Sequence, residues 1–245
     1  MDRYKGLERA SHQPLSLQIF RNEITPESNQ IFNDLNRILN IHMKLYHPAI
    51  IALYGFSPID YNYSFKPIIF TKFYSVGSLE RIINLTHQTV IQELDDIEKF
   101  IIIYGICEGM SYLHNNSIVH SNLNSHNILL TDQNYPLIKN FCNSEILKDD
   151  SQLSITRKKF DVFSFGLIAY ELLNNKLISN PNIEDIQQKI ASNEIPEFEY
   201  PIPSAYEQLI RNCLSLDETK RPTFSEILTY LKTDPYFTDS LESKE

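Results

Sequence analysis

Residues 118–130 read "IVHSNLNSHNILL", and the reading of this stretch decides the fold. It follows the helical run "IEKFIIIYGICEGMSYLHNN" and ends in the hydrophobic "NILL", the layout of a loop between a buried helix and a buried strand. Where a catalytic loop would carry an acid or a base, it offers Ser121, Asn122, Asn124 and Asn127. The loop is placed like an active site but lacks the ionisable groups to run one.

Composition limits what such a loop serves. A chain of 245 residues with 42% hydrophobic content can bury a substantial core. A formal charge of −9 and a pI near 5.3 argue against general affinity for nucleic acid or anionic membrane, both of which select a basic surface. The one basic cluster, "TRKK" at 156–159, reads as a solvated loop. Cys107, Cys142 and Cys213 fit neither a disulfide framework nor a zinc site and suggest a reducing compartment. Cys142 reads as an inert thiol. His114, His120 and His126 recur every six residues, which suits neither a helical face nor metal ligation. The N-terminus "MDRYKGLERA" is charged where a signal peptide would be apolar, and no apolar run reaches membrane-spanning length. A cytoplasmic location is the expectation.

The hydrophobic period changes along the chain. Up to residue 73, short apolar runs such as "LSLQIF", "IIALYGF" and "KPIIFTKF" are bounded by Pro, Asn and Ser, as strands would be. One helix interrupts them, from about Pro26 to Lys44, with a stripe of Ile31, Leu35, Ile38, Leu39, His42 and Leu45. From Ser78, a plausible N-cap, helices dominate. Asp95 and Asp96 open one whose stripe is Phe100, Ile103, Cys107 and Met110, and "FDVFSFGLIAYELL" is apolar enough to be central. The segment "KDDSQLSITRKK", 148–159, has no sustained period and predicts a mobile exposed loop; Ser154 and Thr156, next to Arg157, are the alternative reading as acceptors of regulatory phosphate, with an ordinary loop preferred. The organisation expected is α+β: a small strand-rich part over 1–73, a larger helical part over 74–235 and an acidic tail over 236–245.

Taken in order, these runs resemble the eukaryotic protein kinase domain, most closely its tyrosine-kinase-like group, over nearly the whole chain. "LYHPAIIALYGFSP" is similar to the junction between the small-lobe helix and its fourth strand, and "FTKFYSVGSLERII" to the hinge, with Thr71, Lys72 and Phe73 at nucleotide-facing places. "GMSYLHNNSIVHSNLNSHNILL" resembles the catalytic loop, "DVFSFGLIAYEL" the central large-lobe helix, and "CLSLDETKRPTFSEIL" the closing helices. The resemblance implies a two-lobed fold in which lysine and Mg²⁺ neutralise ATP and an aspartate orients the attacking hydroxyl.

The charged residues of that chemistry are replaced. The phosphate-gripping lysine falls at Gln18, and its glutamate partner at Ile38. The family's "HRDLKxxN" reads "HSNLNSHN", so His120 and Asn127 remain while Ser121, Asn122 and Asn124 stand for the arginine, aspartate and lysine. Asn140, Phe141 and Cys142 occupy the place of the Mg²⁺-binding "DFG". "DRYKG" resembles the family's second strand, so the first strand and the glycine-rich turn are expected to be missing, and "NSE", 143–145, looks like the family's "APE" after a much shortened activation segment.

What remains reads as structural. The resemblance pairs Glu145 with Arg221, puts Asp161 under the catalytic-loop amides, and stacks His120 and Phe141 with Leu53 and His42 between the lobes. Asn122, Asn124, Asn127 and Asn140 read as a hydrogen-bonded polar cluster with no ligand. The function expected is a pseudokinase, a scaffold that binds a protein partner such as an active kinase, with no cofactor and no measurable Mg²⁺-ATP binding. The alternatives are weak or unconventional ATP- and Mg²⁺-dependent phosphotransfer, and a truncated, non-functional gene product.

Overall fold

The computed structural model describes residues 1–8, 11–23, 25, 29–149, 151–178, 202–233 and 235. Strands β1 (Asp2–Leu7), β2 (Pro14–Ile19), β3 (Leu53–Ser57) and β4 (Ile68–Lys72) form an antiparallel sheet in the order β1-β2-β4-β3. Its register places Gln18 opposite Arg3 and Ile69, and Ser16 opposite Lys5 and Thr71. Helix α1 (Asn29–Lys44) packs Leu35 and Ile38 with Phe20 and Ile69, as a three-and-four stripe should. The expected start at Pro26 and the side chain of Ile31 lie outside the described residues.

The helical part is built around α3 (Asp96–Asn115). Asp95 caps it through a capping box with Glu98, and Ser78 caps α2 (Leu79–His87) by accepting the Arg81 amide. Burial around α3 is wider than one stripe: Ile102, Ile106 and Leu113 are as inaccessible as Ile103, Cys107 and Met110. A helix enclosed on nearly all sides reads as apolar throughout. Two small antiparallel pairings lie beside it. Strand β5 (Gly77–Ser78) joins β7 (Ile128–Leu130) and β8 (Pro136–Ile138), while β6 (Ile118–Val119) joins β9 (Glu145–Ile146). A Cβ on Gly109 of α3 would stand 2.7 Å from Ile138 Cδ1, so this glycine sets how closely β8 approaches.

Two expectations are corrected here. Residues 152–159 are not a loop but the first turns of α4 (Gln152–Asn174), which Ser151 caps by accepting the Ser154 amide at 3.4 Å. Ser154 itself is buried, so it is no ready phosphate acceptor. The local sequence lacks a stripe because Lys159 and Ser154 are held by polar bonds, Lys159 donating to the Arg221 carbonyl and Ser154 to Asp149. The second concerns the "NSE" triplet: Glu145 lies in β9 opposite Val119 of β6 and not against the closing helices α5 (Ser204–Cys213) and α6 (Phe224–Thr233). The tail at 236–245 lies outside the described residues.

Candidate functional site

The loop between β6 and β7 is organised by Asp161 of α4. This fully buried carboxylate accepts the His120 amide at 2.8 Å and the Ser121 amide at 2.9 Å, with His114 Nε2 at 3.0 Å. Ser121 takes a left-handed conformation (φ 59°), and Asp161 holds its amide there. The Asn122 amide donates to His120 Nδ1, which leaves Nε2 to donate to the Lys139 carbonyl at 3.0 Å. Burial lowers the His120 pKa, so the ring stays neutral.

The four asparagines come together. Asn124 Nδ2 donates to the Asn122 Oδ1 at 3.0 Å, Asn127 Nδ2 to the Asn122 carbonyl at 2.9 Å, and Asn140 Nδ2 to Asn127 Oδ1 at 3.2 Å. Asn124 Oδ1 in turn accepts the Asn127 amide. These amides satisfy one another and present neither a base nor an anionic ligand. They line a cavity of about 480 Å³ together with Glu171, whose carboxyl burial pushes up to about 7.

A column of rings joins the sheet to the helical part. His42 meets Phe141 edge-on at 5.1 Å, and Phe141 meets His120 at 5.4 Å. Leu53 packs against the neighbouring Ile38 and Ile69 cluster. Burial holds His42 down at about 4, and its Nδ1 has no hydrogen-bond partner. Arg37, one position before Ile38, is a tie that the sequence reading missed: its guanidinium bonds both Asp34 and the Cys142 carbonyl. Cys142 is partly buried and its thiol is pushed up by desolvation, as an inert thiol should be.

Glu145 and Arg221 do not meet. Glu145 is paired with Arg157 of α4, whereas Arg221 donates to the carbonyls of Ser215 at 2.8 Å and Lys159 at 3.2 Å and lies over the Phe163 ring. The expected ion pair fails because Glu145 is drawn into β9 by its pairing with β6.

Between the sheet and the helical part lies a cavity of about 350 Å³ that collects Gln18, Thr71, Lys72 and Phe73. The fold also brings Arg3, Lys5, Arg81 and Lys139 to it, cations that the sequence reading did not place there. Lys5 Nζ lies 4.5 Å over the Phe73 ring and Lys72 Nζ 5.4 Å over the Tyr74 ring. Arg81 donates to the Val76 carbonyl, and Arg3 lies 3.1 Å from His126 Nε2.

Mg²⁺ does not fit this donor set. The side chains at its expected places, Asn127 and Asn140, are neutral amides, and Asn140 turns its Nδ2 onto Asn127 Oδ1. Among the described residues no group of three or more His, Cys, Asp or Glu is arranged to hold a metal.

Comparison with known proteins places this geometry. Residues 4–160 match the model of protein tyrosine and serine/threonine kinases, and residues 137–236 match that of the protein kinase domain. The chain is 27% identical over 237 residues to the dual specificity protein kinase pyk3 of Dictyostelium discoideum, covering 89% of this chain and 17% of that protein. It is 25% identical over 257 residues to the probable serine/threonine-protein kinase gdt2 of the same organism, covering 94% of this chain and 15% of the relative. With the human serine/threonine-protein kinase TNNI3K the identity is 28% over 220 residues, covering 80% of this chain and 26% of the relative. The chain thus spans roughly a sixth to a quarter of the length of these relatives. With the α+β architecture and the kinase-like order of its elements, the chain belongs to the protein tyrosine and serine/threonine kinase family.

Proposed function

We propose that this domain is a pseudokinase of the tyrosine-kinase-like group, a catalytically inactive scaffold that binds a protein partner, such as an active kinase, and biases its conformation. The observation that carries the reading is the amide network: at the places of the general base and the metal-binding carboxylate stand Asn122 and Asn140, each hydrogen-bonded within the network. An asparagine cannot take the proton of an attacking hydroxyl. Ile38 adds to this, since an apolar side chain at 2% exposure cannot orient a phosphate-binding cation. The continuous buried core argues against a decayed chain.

A protein partner is favoured by the aromatic surface beside edge strand β3, where Tyr54, Phe56, Tyr61, Tyr63 and Phe65 are all exposed. No helix among the described residues is long and apolar enough to cross a membrane, in keeping with the cytoplasmic location proposed here. Weak phosphotransfer is the second reading, favoured by the kinase names of the relatives. Transfer of labelled phosphate from Mg²⁺-ATP to a generic protein substrate, and to the chain itself, separates the two. The scaffold reading expects none above background; transfer that disappears in Asn122→Ala overturns it.

A further inference from the structure

Helices α3 and α6 lie antiparallel, with the Ser111 and Ser225 hydroxyls 3.2 Å apart and Lys232 Nζ 5.6 Å from the centre of the Tyr104 ring. Beyond that last contact they open on a groove of about 680 Å³, lined by Pro48, Phe100, Ile101, Tyr104, Pro136 and Leu231. Gly105 lets the wall of the groove close in, since a Cβ there would stand 2.6 Å from Pro136 Cγ. The charges at the rim answer each other: Glu108 accepts from Lys232 Nζ at 3.2 Å and from the Tyr104 hydroxyl at 2.7 Å. An apolar floor with a paired polar rim favours an aromatic occupant over a charged one.

We propose that this groove is an intramolecular docking site for the segment that follows α6, residues 236–241, with Tyr236 as its anchor. The register of the two helices points to that residue. Pro235, two residues past the end of α6, is still helical. Four positions on from Lys232 comes Tyr236, and in antiparallel pairing it stands opposite Phe100, four positions back from Tyr104. The composition of the segment agrees: "YFTDSLESKE" holds an aromatic pair, Tyr236 and Phe237, and Leu241, while Asp239 and Glu242 suit water. Leu231 and Lys232 already line the groove, so the segment is delivered to it at the millimolar effective concentration typical of a short tether, and a partner in solution must compete with that. The docked segment keeps the groove closed to other proteins until it is released. The inference is independent of the scaffold reading, because one is read by the environment of position 236 and the other by phosphotransfer.

The chain has no tryptophan, so Tyr236→Trp in the full chain gives a sole fluorescent probe of the segment. Its emission should be blue-shifted, and its quenching by acrylamide several-fold weaker than in denaturant, at every protein concentration. Ile101→Glu in the same background puts a charge at a half-buried position of the groove and should restore most of the quenching. Emission of a solvated indole in the folded chain overturns the proposal, as does quenching that folded Ile101→Glu leaves unchanged. Burial that appears only as concentration rises assigns the groove to the segment of a second copy and overturns it too. Should Ile101→Glu not fold, benzoylphenylalanine in place of Tyr236 gives the answer in an otherwise native chain. Irradiation should crosslink it within one chain to the groove, at residues 100–105 or Pro136; crosslinks only elsewhere, or only between chains, overturn the proposal.

Discussion

The Asp161 carboxylate accepts the backbone amide of His120 at 2.8 Å, from a helix 41 positions away in sequence. With the Ser121 amide on its other oxygen, this one side chain fixes the conformation of a loop rich in asparagine. The shape of the loop is therefore kept by a carboxylate whose two oxygens are occupied by backbone amides.

Asp161→Ala should cost about 3–5 kcal/mol, because it leaves the buried His120 amide, the part-buried Ser121 amide and His114 without their acceptor. Asn122→Ala, at a partly exposed position within the amide network, should cost about 1 kcal/mol. Chemical denaturation of both variants decides it, and equal losses would mean that the amide network, not Asp161, holds the loop.

Glu145→Ala should change stability by no more than about 1 kcal/mol, since its pair with Arg157 is well exposed on both sides. Arg221→Ala should cost about 2–3 kcal/mol, leaving the Ser215 and Lys159 carbonyls unanswered and uncovering Phe163. In a double-mutant cycle the two should be additive; a coupling of a kilocalorie or more would restore the pair that the family resemblance implies.

Stability should depend on pH through His42. Its ring is held at about 4 in the folded chain, so as pH falls the unfolded chain takes the proton first. The contribution is complete above about 6.5, the unfolded value, and is lost progressively towards pH 4, amounting to about 3 kcal/mol. Glu171 works oppositely: raised to about 7, it favours folding below the ordinary carboxylate range and loses that contribution as pH rises towards 7. Denaturation from pH 4 to 7 should show a flatter acid limb in His42→Leu and a flatter neutral limb in Glu171→Gln. Variants that track the native curve at every pH would remove both assignments.

Hydrogen exchange should find residues 154–159 protected, as the first turns of α4, and proteases should not prefer them. Rapid exchange throughout this stretch would return it to the exposed loop that its sequence suggests.

The triple reversion Gln18→Lys, Asn122→Asp, Asn140→Asp should not produce phosphotransfer. Groups of this kind act as a unit, and Ile38, packed with Leu35 and Phe20, offers the new lysine no carboxylate. Turnover in the folded variant, abolished again by Asn122→Ala, would show that point charges alone had been lost.

The sequence by itself determined the chemistry of the loop, because an asparagine is neutral wherever the fold carries it. The family resemblance alone put Gln18, Ile38, Asn122 and Asn140 at charged places of the family before any contact was known. The caps at Ser78 and Asp95 were legible too, since a cap joins residues three apart. Tertiary structure alone decided which charges meet. Glu145 met Arg157 instead of Arg221 because a strand pairing claimed its backbone, and α4 began at Gln152 because Lys159 and Ser154 found polar partners that no periodicity announces. Lys139 looks in the sequence like any lysine after a short strand. Only the packing of distant elements around the end of β8 makes it a largely buried lysine whose amine is held down at about 7, because burial is a property of what those elements pack against and not of the residue that is buried.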